Sequence, residues 1–149
     1  MATPFRPRAL DTSAVTTRFS RADIEFLGVD HSGSSYEGRV YVNNPDADES
    51  TGPATEAGYV GSFHIFGHGG CLGDAGHCDV REQRPYDPRP AHPLTRARKV
   101  VIATDALRTA LERDEVTVTV VPVITSTGPM SGFDDDIVKV EAVRIVTYR

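Results

Sequence analysis

The sequence predicts a mainly β protein, a single antiparallel β-sandwich of Greek-key or jelly-roll-like kind with one short helix. Three observations point there. Short runs of alternating apolar and polar residues recur along the chain, turn-forming residues separate them, and only one stretch has helical periodicity. With 149 residues the chain suffices for one domain that buries about two-thirds of its unfolded surface, so folding requires neither disulfide nor metal. No repeat or second domain is visible.

Residues 1–20 carry Pro4, Pro7 and a Thr/Ser-rich run without periodicity, which predicts an extended N-terminal arm ahead of a sandwich domain over 21–149. Ile24 and Phe26, with Gly28 in phase, then alternate with Asp23, Glu25 and Leu27, the period of a strand. The HSGSS turn at 31–35 leads to a second strand at 36–43, with Val40 and Val42 on one face and Arg39 and Tyr41 on the other. A hairpin is the economical connection between the two. The acidic segment 44–56 lacks apolar anchors and reads as a solvated loop.

β character returns over 58–66. A connection from 67 to about 96 follows, holding Pro85, Pro88, Pro90, Pro93 and a Cys/His cluster. Such length without regular structure marks a functional or partner-binding loop. Residues 99–103 form a short apolar strand. Thr104 or Asp105 then caps a helix, DALRTALER, with Ala106, Leu107, Ala110 and Leu111 on one side. Residues 116–124 alternate Val with Thr, and Pro122 suggests an edge or a bulge. A turn over 126–136 precedes the last strand, 137–148, with Val138, Val140, Ala142 and Ile145 inward.

Charge and composition exclude several function classes. Sixteen basic against 21 acidic residues leave a net charge of -5, and no basic stripe exists to follow a phosphate backbone, so nucleic acid is not an expected partner. No run approaches the length of a membrane span, and the N-terminus lacks the apolar core of a signal peptide. The expected address is cytoplasmic, without membrane partners. Two cysteines do not make a disulfide framework; Cys71 and Cys78 read as thiols, as metal ligands or, in an exported protein, as a pair closing a short loop.

The chemistry-bearing groups gather at 63–78, FHIFGHGGCLGDAGHC, with three of the five histidines and both cysteines. Thiolate and imidazole suit zinc or copper, and the surrounding glycines let backbone wrap an ion. If 64–68 were extended, His64 and His68 would stand about 13 Å apart, too far to share one ion. The ligand set is therefore His68, Cys71, His77 and Cys78, with His64 a poorer companion. Its spacing is not that of a zinc-finger knuckle, and a loop held by histidine and amide hydrogen bonds explains the same residues.

A thiolate nucleophile, Cys71 or Cys78 with His77 or His68 as base, lacks an electropositive setting, because the predicted helix is remote in sequence. The glycines form neither a P-loop nor a dinucleotide fingerprint. Asp46, Asp48 and Glu49, like Asp134, Asp135 and Asp136, read as solvated turn residues. His31 reads as a surface residue and His92 as loop support. Tyr41, Tyr59, Phe63 and Phe66 read as strand aromatics packed in the core. No catalytic or cofactor-binding residue is assigned.

Taken in order, RVYVNNPDADE, EAGYVGSFHIFGHGG, KVVIATDALRTAL, EVTVTVVPV and VKVEAVRIV resemble the C-terminal β-domain of type 3 copper proteins. That domain is appended to plant polyphenol oxidases, some bacterial tyrosinase-like proteins and molluscan haemocyanins. The similarity spans about 22–148, and FGHGGC…GDxGHC is closer to the bacterial and haemocyanin forms. The family's copper-binding unit uses six histidines on a four-helix bundle, whereas this chain has five histidines and one predicted helix. Phenol oxidation and oxygen binding therefore do not carry over.

What the resemblance implies is a domain that packs on a catalytic unit and covers its copper entrance. With a starting Met and no bundle, the chain reads as a free-standing version. The expected function is an accessory, partner-binding domain that covers or matures a separate tyrosinase-like oxidase subunit, with residues 67–96 as contact surface. A copper- or zinc-binding protein using the Cys/His loop, as chaperone or small metalloenzyme, is the alternative. A self-assembling structural sandwich, a homo-oligomer, is a further one.

Overall fold

The computed structural model describes residues 2–7, 10–13, 15–68, 85–86, 88, 95–113, 116–124 and 136–149. Their strands are β1 (Arg21–Val29), β2 (Tyr36–Val42), β3 (Tyr59–Ile65), β4 (Ala97–Ile102), β5 (Val118–Ile124) and β6 (Ala142–Tyr148), with helix α1 (Thr104–Ala110) between β4 and β5. They form two antiparallel three-stranded sheets, ordered β4-β1-β6 and β3-β2-β5. The expected mainly β fold with one short helix is the fold found. Between the sheets lies one core containing Ile24, Phe26, Val40, Phe63, Val101, Leu107 and Val120. The rings of Phe26 and Phe63, from opposite sheets, meet at 5.0 Å, and Tyr36 closes on Phe63 edge-on at 6.3 Å.

The expected β1–β2 hairpin does not form, since β1 and β2 are the central strands of different sheets. The physical reason is double burial of alternating faces. As hairpin neighbours, Ile24 and Phe26 would lie beside Val40 and Val42 in one sheet, with their shared apolar face still to be covered. By crossing at 30–35 the chain sets the two faces against each other instead.

β1 keeps its period only as far as Phe26. Pairing with β4 shifts register between Phe26 and Val29, and Gly28, at φ 63°, takes up the extra residue so that Val29 returns to the core. A Cβ at Gly28 would stand 2.2 Å from the Glu141 carboxylate, so no larger residue fits without displacing it. β6 also breaks phase. Val138 is buried, the strand begins only at Ala142, and Ala142 faces solvent while Val143 and Ile145 pack on the core.

The N-terminal arm reaches the free edge of β5. Phe5 and Val120 exchange both backbone hydrogen bonds at 2.9 Å, and Leu10 N–H donates to the Val116 carbonyl at 3.1 Å. Unpaired strand edges invite unwanted pairing, and here the chain's own arm takes part of that edge. Backbone groups two residues apart point the same way, so the Pro122 nitrogen, like the Val120 N–H that pairs with Phe5, points away from β2 and its missing N–H removes no bond to that strand. The edge position expected for Pro122 follows from this arrangement.

The loop at 44–56 is better anchored than its composition suggests. Tyr41, on the outer face of β2, donates its hydroxyl to the Thr51 carbonyl at 2.8 Å, and it forms a small buried cluster with Ala47 and Val121. Arg6 of the arm donates to the carbonyls of Pro45 and Ala47 at 2.5 and 3.2 Å. The anchor comes from the strand beneath and from the arm, which a local reading of the loop does not include. Helix α1 likewise departs from its expected cap: Ala103 holds the N-cap position without a side-chain bond, and Thr104 Oγ1 instead accepts the Ala22 N–H at 3.1 Å. Leu107 and Ala110 bury its inner side. Among the described residues no helix is long and apolar enough to cross a membrane.

Candidate functional site

Two places combine unusual polar chemistry with a defined frame. The first is the base of the 67–96 connection. Beyond β3 the chain turns so that Gly67 N–H donates to Ser35 Oγ at 2.9 Å and His68 N–H donates to the His31 carbonyl at 2.9 Å. A Cβ on Gly67 would lie 2.2 Å from the Gly33 carbonyl oxygen, so this close backbone approach requires glycine. At the far end of the connection, His31 Nε2 lies 2.8 Å from the Thr95 carbonyl. A carbonyl only accepts, so Nε2 carries the proton and donates. His31 thereby ties together both ends of the connection, its main chain holding one and its ring the other.

His31 was expected at the surface and instead is this joint. Its ring meets that of His68 edge-on at 5.3 Å, and Phe66 covers His68 from another side at 5.6 Å. His68 Nδ1 is buried and has no hydrogen-bond partner among the described residues; the hydroxyls of Thr95 and Tyr36 share that condition. Burial pushes the Tyr36 phenol far above its ordinary range, and the charge of Asp30 adds to the shift.

Of the sequence-derived ligand set, only His68 lies within the described residues; Cys71, His77 and Cys78 do not. His64 is exposed in β3 opposite Glu37, between the inward Phe63 and Ile65, so it stands on the solvent side of its sheet while His68 turns to His31. Among the described residues no three His, Cys, Asp or Glu side chains converge as a metal site. A buried ring nitrogen lacking a partner nevertheless fits a copper or zinc ligand. Asp48, by contrast, spends its carboxylate on its own turn, accepting from Ser50 N–H at 2.9 Å and Ser50 Oγ at 2.6 Å.

The second place is the outer face of the β4-β1-β6 sheet. Alternation along β1 points Asp23 and Glu25 away from the core, yet each is only 1% exposed. Three arginines enclose them. Arg144, directly across from Glu25 in β6, donates Nε to Glu25 Oε2 at 2.7 Å, and Arg98 of β4 donates Nη2 to Oε1. Arg21 grips both oxygens of Asp23 at 2.7 Å and lies over the Tyr148 ring at 5.4 Å. The Arg98 guanidinium holds the Glu25 carboxyl below its ordinary range against the opposing effect of burial, and Arg144 adds to the hold.

Beside these charges the same face exposes Val100 (41%), Ile102 (57%) and Tyr148 (42%). Alternation with Ile24 and Phe26 sets Asp23 and Glu25 on one face of β1 but does not show their enclosure, which for Glu25 depends on Arg98 and Arg144 in the flanking strands. A signal was present in the flanking strands: Arg98-x-Val100-x-Ile102 and Arg144-x-Val146-x-Tyr148 repeat one outward pattern on either side of β1. A cleft of about 600 Å³ between α1 and the end of β2 offers less. Its Asn43 accepts the Thr117 N–H at 2.9 Å, its Asn44 donates to the Ala57 carbonyl at 2.8 Å, and its Asp105 pairs with Arg108 at 2.8 Å, so these groups serve the frame.

No protein-family model matches the chain, and no curated protein or solved structure is significantly similar to it.

Arg98 and Arg144 cover Glu25, so removing both uncovers its carboxylate and leaves it without a charged partner near Asp23 on the same face. Arg98→Ala/Arg144→Ala should lower unfolding free energy by about 1 kcal/mol in urea titrations. Adding Glu25→Leu to that pair should recover most of the loss. If the triple variant is no more stable than the double, the carboxylate is not the source of the cost.

Proposed function

We propose that the protein is a non-catalytic, partner-binding β-sandwich, an accessory that covers or matures a separate tyrosinase-like oxidase. The observation that carries this reading is the outer face of the β4-β1-β6 sheet, where Val100, Ile102 and Tyr148 are exposed together around arginine-covered acids. The free face of an antiparallel sheet is ordinarily polar, and clustered apolar side chains there favour a contact with another molecule. The resemblance to the appended domain of type 3 copper proteins supplies the kind of partner. A cytoplasmic address belongs to the same proposal.

Affinity purification of the tagged full chain from its native cells should recover a histidine-rich, helical oxidase. Val100→Asp/Ile102→Asp should lose that oxidase while melting at an unchanged temperature. Recovery of no oxidase, or equal recovery by the variant, contradicts the proposal.

A second reading, copper or zinc binding, is favoured by the unpartnered buried Nδ1 of His68. His68, Cys71, His77 and Cys78 would hold the ion, and thiolate with imidazole would suit its storage or transfer. Protein purified without a histidine tag should then contain stoichiometric metal that Cys71→Ala/Cys78→Ala removes. Metal-free protein with intact thiols in every preparation contradicts this reading.

A further inference from the structure

The centre of the β4-β1-β6 face holds two guanidinium groups in place while leaving much of each open. Arg98 and Arg144 each commit one donor to a different oxygen of Glu25, and both side chains remain 58% exposed. A guanidinium carries five N–H donors, so most of the donor capacity of this pair is unspent on Glu25. A free arginine loses considerable rotamer freedom when it binds a ligand. Here the buried carboxylate, fixed on the central strand, has already restricted both side chains.

Charge on the face is unbalanced in the same place. Arg21, Arg98 and Arg144 oppose Asp23 and Glu25, three positive groups against two negative, and the Arg21–Asp23 pair is self-contained. The surplus positive charge therefore sits on the pair centred on Glu25. Val100, Ile102 and Tyr148 provide apolar surface on the same face. In a chain of net charge -5 such a spot attracts a group the rest of the surface repels.

We propose that this face docks an acidic segment of another protein, with a partner carboxylate bridging Arg98 and Arg144 and apolar neighbours of that carboxylate resting on Val100, Ile102 and Tyr148. The proposal rests on the partner-binding reading and names the chemistry recognised. Arginine forks match a carboxylate in geometry as well as charge, which a lysine ammonium does not. A symmetric dimer through this face would set like charges against each other, which disfavours a second copy as the occupant.

The test uses the ¹⁵N-labelled full chain and two peptides, acetyl-Leu-Glu-Val-Glu-Tyr-amide and its counterpart with Gln in place of both Glu. The acidic peptide should shift the amide signals of 98–102 and 144–148 saturably, with an affinity that falls as salt rises. The Gln peptide should bind at least about tenfold more weakly. Arg98→Lys/Arg144→Lys keeps positive charge on Glu25, and should melt like the parent while binding the acidic peptide at least about tenfold more weakly. Absent shifts, equal affinity for both peptides, or full binding by the lysine variant overturns the proposal. Self-association in light scattering that Ile102→Asp abolishes also overturns it, because the occupant is then a second copy. An oxidase partner lost with Val100→Asp/Ile102→Asp but retained by the lysine variant leaves the accessory function standing and overturns only arginine recognition.

Discussion

Burial of β1 on both faces is the constraint on which the rest of the structure depends. Ala22, Ile24 and Phe26 fill the core from its inner side, while Asp23 and Glu25 are enclosed on the outer side. Buried carboxylates without partners are costly and tend to take up a proton. Arg98 and Arg144 must therefore arrive from both flanking strands, which ties the sheet order β4-β1-β6 to its register. A one-residue slip of β6 would turn Arg144 toward the core and Ile145 toward solvent. Register, core and surface charge are thus set together.

The same arrangement sets the character of the outer face of the β4-β1-β6 sheet. Arginines held over buried acids keep water from the sheet without making its surface polar throughout, and Val100, Ile102 and Tyr148 stay exposed beside them. At the opposite sheet the chain itself covers part of the surface: the 44–56 loop sits on Tyr41, and the arm pairs with β5. His31 adds a second joint by holding His68 and Thr95, near the two ends of the 67–96 connection.

Much of the fold was legible because alternation is a local property. Phe26, Val40 and Val120 show their inward phase within a few residues of sequence, and Pro122 announces an edge. Long-range choices were less legible. Nothing in 30–35 distinguishes a hairpin from a crossing between sheets, and Thr104 resembles a helix cap although its hydroxyl serves β1. The candidate site was read from ligand types, which drew attention to His68 but passed over His31, whose importance comes from Thr95 at the far end of the connection. Glu25 was missed for a similar reason: its partners lie 73 and 119 positions away, and its burial depends on both.

The most direct measurement is the titration of the Glu25 side-chain carboxyl by carbon-detected NMR in the folded protein. Two influences oppose each other at this group, burial pushing the midpoint up and the arginines pulling it down, and the arginines prevail. The midpoint should lie below the value of about 4.3 for an unperturbed glutamate. Because the folded value is the lower one, the group stabilises the fold above the unfolded midpoint, and that contribution disappears as pH falls through the folded midpoint. A Glu25 midpoint above about 4.3 would mean that desolvation dominates and that the arginine enclosure of β1 does not hold.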